Sequence, residues 1–386
     1  MNFRPAFSPP PQYSPTIASN SAQPLTDSSY CKVCRSPNHL CNLKSDVRIF
    51  MEIAKREKIN NVVVSPLLVS SAENTARKVR ELQESNSINH DDLMVVLKQS
   101  GNPITNTREP EQQGTPENLH FFSKNISIDM VMKHLGVPFT SSHELAQQGY
   151  DSATQQLNDR IANDTNGVIT DLLKPEMLTD PKVAYVLVSW LFQNVSWKEP
   201  FVAIPQGYGR HITWNGKEQS EIVWMQSEQV TNAIAYKNIS GFQFIALPVK
   251  ESGLKAVFIM PPETAKQEHS DKASDIIAEG LNSLFEGQFT DARIGLVLPK
   301  YEFEYVYEKE YPELIGGKSK HQANLSIKEA GAFVAAAFVM RGGAIPKKLY
   351  INKSFYFAMI THEGKHKRDP RLVGIAHIEQ PWEPRE

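Results

Sequence analysis

Apolar positions along this chain fall into two regimes. In the first part they recur at helical spacing: Val47, Ile49, Phe50, Ile53 and Ala54 share one face, and Ala153, Leu157 and Ile161 are spaced by four. The first set predicts a helix opening the folded region near Leu43. The second predicts a helix from Tyr150 that ends at Asn166-Gly167, because glycine accepts the left-handed backbone that closes a helix. Between them, Asn61-Val62-Val63-Val64-Ser65 reads as a short buried strand stopped by Pro66. The later chain is mostly strand. Val183 to Phe192 is a nearly continuous apolar run, too continuous for a half-exposed edge. Further strands are expected over Phe244–Val249, Lys255–Met260, Arg293–Leu298, Phe355–Ile360 and Leu372–Ile378, with one more helix over Ala273–Leu284. Helices early and strands late, without regular alternation, predict an α+β fold with large mixed sheets.

Composition narrows the picture. The chain has 386 residues, enough for one large domain or two ordinary ones with a substantial core. Residues 1 to about 30 are rich in Pro and Ser and read as a disordered tail, and 99–118 read as a long polar loop. The 41 basic and 43 acidic residues nearly cancel, which argues against a nucleic-acid or anionic-membrane partner. No apolar run approaches the roughly 20 residues of a membrane span. The three cysteines all lie between Cys31 and Cys41, so disulfides cannot staple the fold. The first 20 residues, broken by prolines, do not read as an export signal. Six Asn-x-Ser/Thr acceptors, at Asn125, Asn163, Asn194, Asn238, Asn324 and Asn352, point the other way, although several fall where strands are expected.

One tract stands apart from ordinary loops, which are built from turn formers and polar residues. Glu329-Ala330-Gly331-Ala332-Phe333-Val334-Ala335-Ala336-Ala337 is almost free of bulk and charge, and runs on through Phe338, Arg341 and Gly343 to Pro346. Small residues that lie flat in a pleat suit a segment that slides between existing strands. This is the composition of a conformational switch, not of a catalytic site.

In chain order, several motifs carry a family resemblance. They are Asn61-Val62-Val63-Val64-Ser65-Pro66-Leu67; Asn163-Asp164-Thr165-Asn166-Gly167 followed by Leu172-Leu173; Leu187-Val188-Ser189-Trp190-Leu191-Phe192 followed by Trp197-Lys198-Glu199-Pro200-Phe201; Leu298-Pro299-Lys300-Tyr301; His321 to Ile327; and Asn352-Lys353-Ser354-Phe355-Tyr356-Phe357. Together with the Ala-rich tract they resemble the serpins, from about residue 43 to the C-terminus. The resemblance implies a serpin fold: three β-sheets, about eight or nine helices and an exposed reactive-centre loop, here about 329–351. It divides the chain into a tail over 1–42, holding a small Cys cluster, and a single domain over 43–386. It implies a suicide inhibitor that a serine or cysteine protease acylates, and whose loop then inserts into the main sheet. No catalytic residue, cofactor or metal is implied. A monomer is expected, extracellular by family habit, with the cytoplasm as the alternative given the N-terminus.

By the same resemblance Glu329, Gly331, Ala332, Phe333, Val334, Ala335, Ala336 and Ala337 form the hinge. Ser65, Pro66, Ser189 and Trp197 belong to the shutter and breach, with Ser189 at the breach. The chain departs from the family pattern at Ser189 (usually Asn), Leu68 (usually Ser), Val334 (usually Ala) and Phe333 (usually charged). Alternation puts Ala332, Val334, Ala336 and Phe338 on one face of an inserted strand, the core-facing one in the family, where excess bulk costs about 1–3 kcal/mol. Counting forward from Glu329 places the scissile bond near Ile345-Pro346; counting back from Asn352 places it near Gly343-Ala344; Arg341 is the only attractive trypsin-like site, but lies several residues early. Inhibition and a non-inhibitory binding, carrier or chaperone-like role both remain open at this point.

Other motifs are decoys on their context. His362-Glu363-Gly364-Lys365-His366 has the letters of a zinc-hydrolase motif, yet it follows a strand and contains glycine where a helix is required. Cys31, Cys34, His39 and Cys41 have one residue between the last two, tighter than usual zinc knuckles. Lys365-His366-Lys367-Arg368 reads as a solvated hairpin tip. No phosphate-binding glycine loop or nucleophile elbow appears.

Overall fold

A computed structural model describes residues 38–57, 61–70, 73, 77, 119–124, 126, 129, 132–133, 138–181, 183–191, 196–205, 212–219, 221–227, 231–250, 253–263, 270–311, 317–329, 348–362 and 370–381. Its helices are α1 (Asn38–Glu57), α2 (Ser142–Gln148), α3 (Tyr150–Asp164), α4 (Glu176–Thr179) and α5 (Asp271–Phe285). The strands of the first half are β1 (Asn61–Val64), β2 (Leu119–Ser123), β3 (Phe139–Thr140), β4 (Tyr185–Leu191), β5 (Phe201–Ala203), β6 (Thr213–Trp214), β7 (Lys217–Glu218) and β8 (Val223–Ser227). Those of the second half are β9 (Thr231–Ile239), β10 (Phe242–Leu247), β11 (Leu254–Met260), β12 (Thr290–Tyr311), β13 (Gly317–Ile327), β14 (Lys348–Tyr350), β15 (Phe355–His362) and β16 (Pro370–Ile378).

The α+β reading holds, and so do the expected strands. The main path runs β1-β16-β15-β11-β10-β9-β12-β13-β4-β2-β3, with β14, β8 and β5 branching from it and β6–β7 a separate hairpin. β12 is far longer than the expected Arg293–Leu298. It pairs first with β9, then with β8 and β14, then with β13, so one 22-residue strand belongs to three sheets in turn. Its second half puts Tyr301, Tyr305 and Tyr307, all buried, on one face and Glu302, Glu304 and the exposed Val306 on the other. Pro299, which cannot donate to a ladder, marks the change of partner instead of an end.

Helix α1 starts at Asn38, inside the segment assigned to the tail, and puts His39 and Cys41 in its first turn. Extension past Leu43, the first core residue, adds a backbone bond per residue once the packed turns exist. Helix α3 buries Ala153, Leu157 and Ile161 as the spacing predicted, and closes through Asn166 and Gly167, both at positive φ. His362 is the last residue of β15 and pairs with Pro370 of β16, so the motif that begins there starts in a strand. The 1–37 tail, the 99–118 loop, the other cysteines and part of the expected helix set lie outside the described residues.

The main core lies between the β9–β10–β11–β15–β16 sheet, α1 and α5, and a smaller one fills the space between α3 and the β2–β4 face. Helix α5 comes so close to β10 that a Cβ on Gly280 would sit 2.1 Å from Cζ of Phe244, a fully buried ring. Alanine is favoured over glycine in a helix by about 1 kcal/mol, but overpacking costs about 1–3 kcal/mol and an unmovable ring puts this site at the upper end. Gly280→Ala should therefore lower the denaturant midpoint, and Phe244→Leu should restore part of the loss. A midpoint equal to that of the parent protein would show that the ring yields freely.

Candidate functional site

Strand direction changes at the centre of the large sheet. β12 and β13 are antiparallel, as are β4 and β2, but β4 and β13 run parallel, in register from Tyr185–Gly317 to Leu191–Ala323. Parallel ladders have slanted hydrogen bonds and are slightly weaker per residue than antiparallel ones. Among the described residues this seam is the longest parallel ladder of the sheet, β2–β3 and β12–β14 being parallel over two and three residue pairs.

A buried polar cluster ties the seam to the core beneath it. Ser65 caps the helical turn over residues 66–70: its Oγ accepts from the Leu68 N–H at 3.4 Å, and Pro66 occupies the first helical position, where no N–H is needed. The Ser65 N–H donates to Nε2 of His321 at 3.2 Å. A backbone N–H can only donate, so Nε2 must be the bare nitrogen and the ring proton sits on Nδ1, aimed at Oγ of Ser189 3.4 Å away. Ser189 and His321 are direct partners across the seam. Burial holds this imidazole neutral, with its pKa lowered from 6.5 to about 4.

A second cluster lies at the Ile327 end. The Trp197 indole N–H donates to the Lys328 carbonyl at 3.0 Å, and the Phe201 N–H to the Glu329 carbonyl at 2.7 Å. Trp197 packs edge-on against Phe201 at 5.8 Å. Lys300 of β12 pairs with Glu329 at 3.1 Å, and Lys328 with Glu302 at 3.1 Å. Seven residues of β13 and its continuation, about 23 Å at the usual rise, separate this cluster from His321. The predicted group is thus two places: Ser65, Pro66 and Ser189 belong together, and Trp197 joins Glu329. Ser189 lies at the His321 cluster instead of beside Trp197, because its register across the seam is with His321.

Both ends of the 330–347 segment are held by β12. Ile327 pairs with Tyr301, and Lys348 with Gly295. Those anchors are about 20 Å apart, whereas the segment between can extend about 60 Å. Gly331, Ala332, Phe333, Val334, Ala335, Ala336 and Ala337, with Arg341, Gly343, Ala344, Ile345 and Pro346, lie outside the described residues. Sequence reasoning missed His321, Lys300 and Lys328. For His321 a signal existed: it is the polar member of the alternating set His321, Ala323, Leu325, Ile327, all buried.

Relatives can now be set beside this geometry. The family model described as Serpin (serine protease inhibitor) matches residues 43–312, well over half the chain. The chain belongs to the serpin family. Among curated serpins, mouse plasminogen activator inhibitor 1 is 22% identical over 373 residues, covering 87% of this chain and 90% of that protein. Rat glia-derived nexin is 23% identical over 272 residues, covering 66% of each. Among solved serpin structures, human kallistatin superposes with a TM-score of 0.61 at 18% identity, covering 89% of this chain and 98% of that one. Human thyroxine-binding globulin in complex with thyroxine gives 0.61 at 15%, with 89% and 99% covered. These likenesses at low identity speak for the fold. The family is described by protease inhibition, not by catalysis. Among the described residues no helix is long and apolar enough to cross a membrane, and no group of three metal-binding side chains is assembled.

Proposed function

We propose that this serpin inhibits a serine or cysteine protease as a suicide substrate, with 329–351 as the reactive-centre loop. The observation that supports it most is the parallel β4–β13 seam, whose β13 wall ends two residues before Glu329, where the Ala-rich sequence begins. A strand entering between them from Glu329 runs antiparallel to both neighbours, and so replaces one weaker ladder with two stronger ones. The protease nucleophile attacks the scissile carbonyl, the peptide C–N bond breaks and the new amine leaves. Insertion then competes with hydrolysis of the acyl-enzyme.

The length of β13 bears on which bond is cut. It has 11 residues, and a strand of equal length starting two residues past Glu329 ends at Arg341. Cleavage after Arg341 would therefore supply enough chain to line the whole of β13, which lifts the objection that it lies too early. Glycine at Gly343 offers no side chain to a specificity pocket, and a proline after Ile345 makes a poor leaving residue. We therefore place Arg341 first, ahead of Gly343-Ala344 and Ile345-Pro346, with a trypsin-like protease as the expected target.

The bulk of Phe333 and Val334 at the hinge favours a second reading, a non-inhibitory serpin acting as a binding or carrier protein; thyroxine-binding globulin, one of the structural relatives, is solved in complex with thyroxine. One experiment separates the two. The protein is incubated with a panel of serine and cysteine proteases and run on denaturing gels, and its melting temperature is read before and after loop cleavage. A gel-stable complex and a large rise in melting temperature are expected for inhibition. Cleavage with neither result assigns the chain to the second reading.

A further inference from the structure

Alternation places His120 on the face of β2 that carries Phe122, and its register partner is Val188 of β4. That face, with Val186, Val188 and Trp190, is covered by α3. The His120 ring stands edge-on to Phe122 at 5.2 Å, and its Nε2 lies 2.9 Å from Oγ1 of Thr140. Among the described residues its buried Nδ1 has no hydrogen-bond partner, and neither has the indole N–H of Trp190, the next residue along this face of β4. Above them, the Arg160 guanidinium of α3 sits 5.6 Å from the Trp190 ring centroid.

We infer that proton uptake at Nδ1 of His120 is a switch that loosens α3 from the β2–β4 face. A proton there creates a buried N–H without an acceptor and a second cation beside Arg160. Both costs vanish when α3 lifts and water reaches the ring. Among the described residues the charged groups around the ring are few. Arg160 on α3 opposes protonation and is itself paired with Asp164 at 3.7 Å. Glu144 on α2 favours protonation, but its carboxylate is engaged by the N–H and hydroxyl of Ser141. Nearby Asp129 is bound to Ser142, while β3 and β4 present Thr140, Val188 and Trp190 to this face, none of them ionisable. Burial is the largest influence and lowers the imidazole to about 4. Helix α3 rests on β4, one wall of the seam, so its release would ease strand insertion. That consequence rests on the inhibitory reading; the release itself does not.

Hydrogen exchange of the α3 amides, corrected for the intrinsic pH dependence, tests this on the full chain. Between pH 7.5 and 4.5 their protection should fall by up to about seventy-fold, the factor that a pKa restored from about 4 to 6.5 allows. In His120→Gln, whose amide can still bond Thr140, protection should change by less than about threefold. Arg160→Gln should titrate His120 at higher pH and release α3 less. Equal acid sensitivity of His120→Gln and the parent overturns the inference. So does a His120 midpoint near 6.5 by NMR on the unmodified protein, a readout that does not depend on any variant folding. Loss of insertion with α3 release intact would count against the inhibitory reading alone.

Discussion

Between pH 7.5 and 4.5 this serpin should lose about 2–3 kcal/mol of stability through His321 alone. The imidazole is buried and its pKa is lowered from 6.5 to about 4, so the unfolded chain takes up protons first as acid is added. The stabilising contribution is complete above pH 6.5 and is lost as the pH falls towards 4. Geometry gives the same sign: Nε2 accepts from the Ser65 N–H, and a proton there would set two donors against each other. The measurement is a set of denaturant midpoints against pH for the parent and for His321→Gln, which can still offer Ser65 an oxygen. The variant should be flatter by the stated amount; parallel curves would remove His321 from the account. His120 adds its own acid sensitivity to both curves, so the difference between them isolates His321.

Asp46→Ala should cost about 3 kcal/mol, through a contact far from the seam. Asp46 on α1 accepts from Nε and Nη2 of Arg371 at 3.2 and 3.3 Å and from the Leu372 N–H at 3.2 Å, locking the first helix to the last strand. Its side chain is 2% exposed while that of Arg371 is 26% exposed. Burial pushes the carboxyl up, and Arg371 and the Leu372 N–H draw it only part of the way back. The pair is therefore weakly favourable as a pair but costly to break, because removing the carboxylate strands a guanidinium and a backbone donor. The partial exposure of Arg371 keeps the loss at the lower end of the range for buried pairs. Asp46→Asn, which keeps an acceptor for Leu372, should lose less. Replacing both partners with apolar residues of similar size should come within about 1 kcal/mol of the parent. A loss under 0.5 kcal/mol on denaturant unfolding of Asp46→Ala would mean that water replaces the carboxylate at Arg371 (roughly the worth of a surface pair).

Local pattern made much of this fold legible. The spacing of Ala153, Leu157 and Ile161 found α3, and unbroken apolar runs found β4, β11, β15 and β16. The small residues of the hinge pointed to insertion before any strand was placed. What stayed hidden depended on residues far apart in the chain. His321 reads as an odd polar position until Ser65, 256 residues away, and Ser189, 132 away, close on its two nitrogens. The resemblance put Ser189 at the breach, whereas the strand register sets it against His321, and Trp197 bonds Lys328 at the other end of the seam. Pro299 hid the continuity of β12, since a proline usually stops a strand and here only changes its partner.

That continuity has a mechanical consequence. β12, β13, the loop and β14 form a closed circuit, because both loop anchors are bonded to the same strand. Suppose the uncut loop filled the seam down to Gly317, which pairs with Tyr311. The remaining residues, 342–347, would have to climb back beside β12 to Gly295, about 53 Å, with a reach of about 21 Å. The circuit cannot stretch that far. Full insertion therefore requires that the ring be opened, by cutting the loop or by peeling β14 from β12; on the inhibitory reading, a protease that cuts the loop removes the tether that kept its strand out of the closed β4–β13 seam.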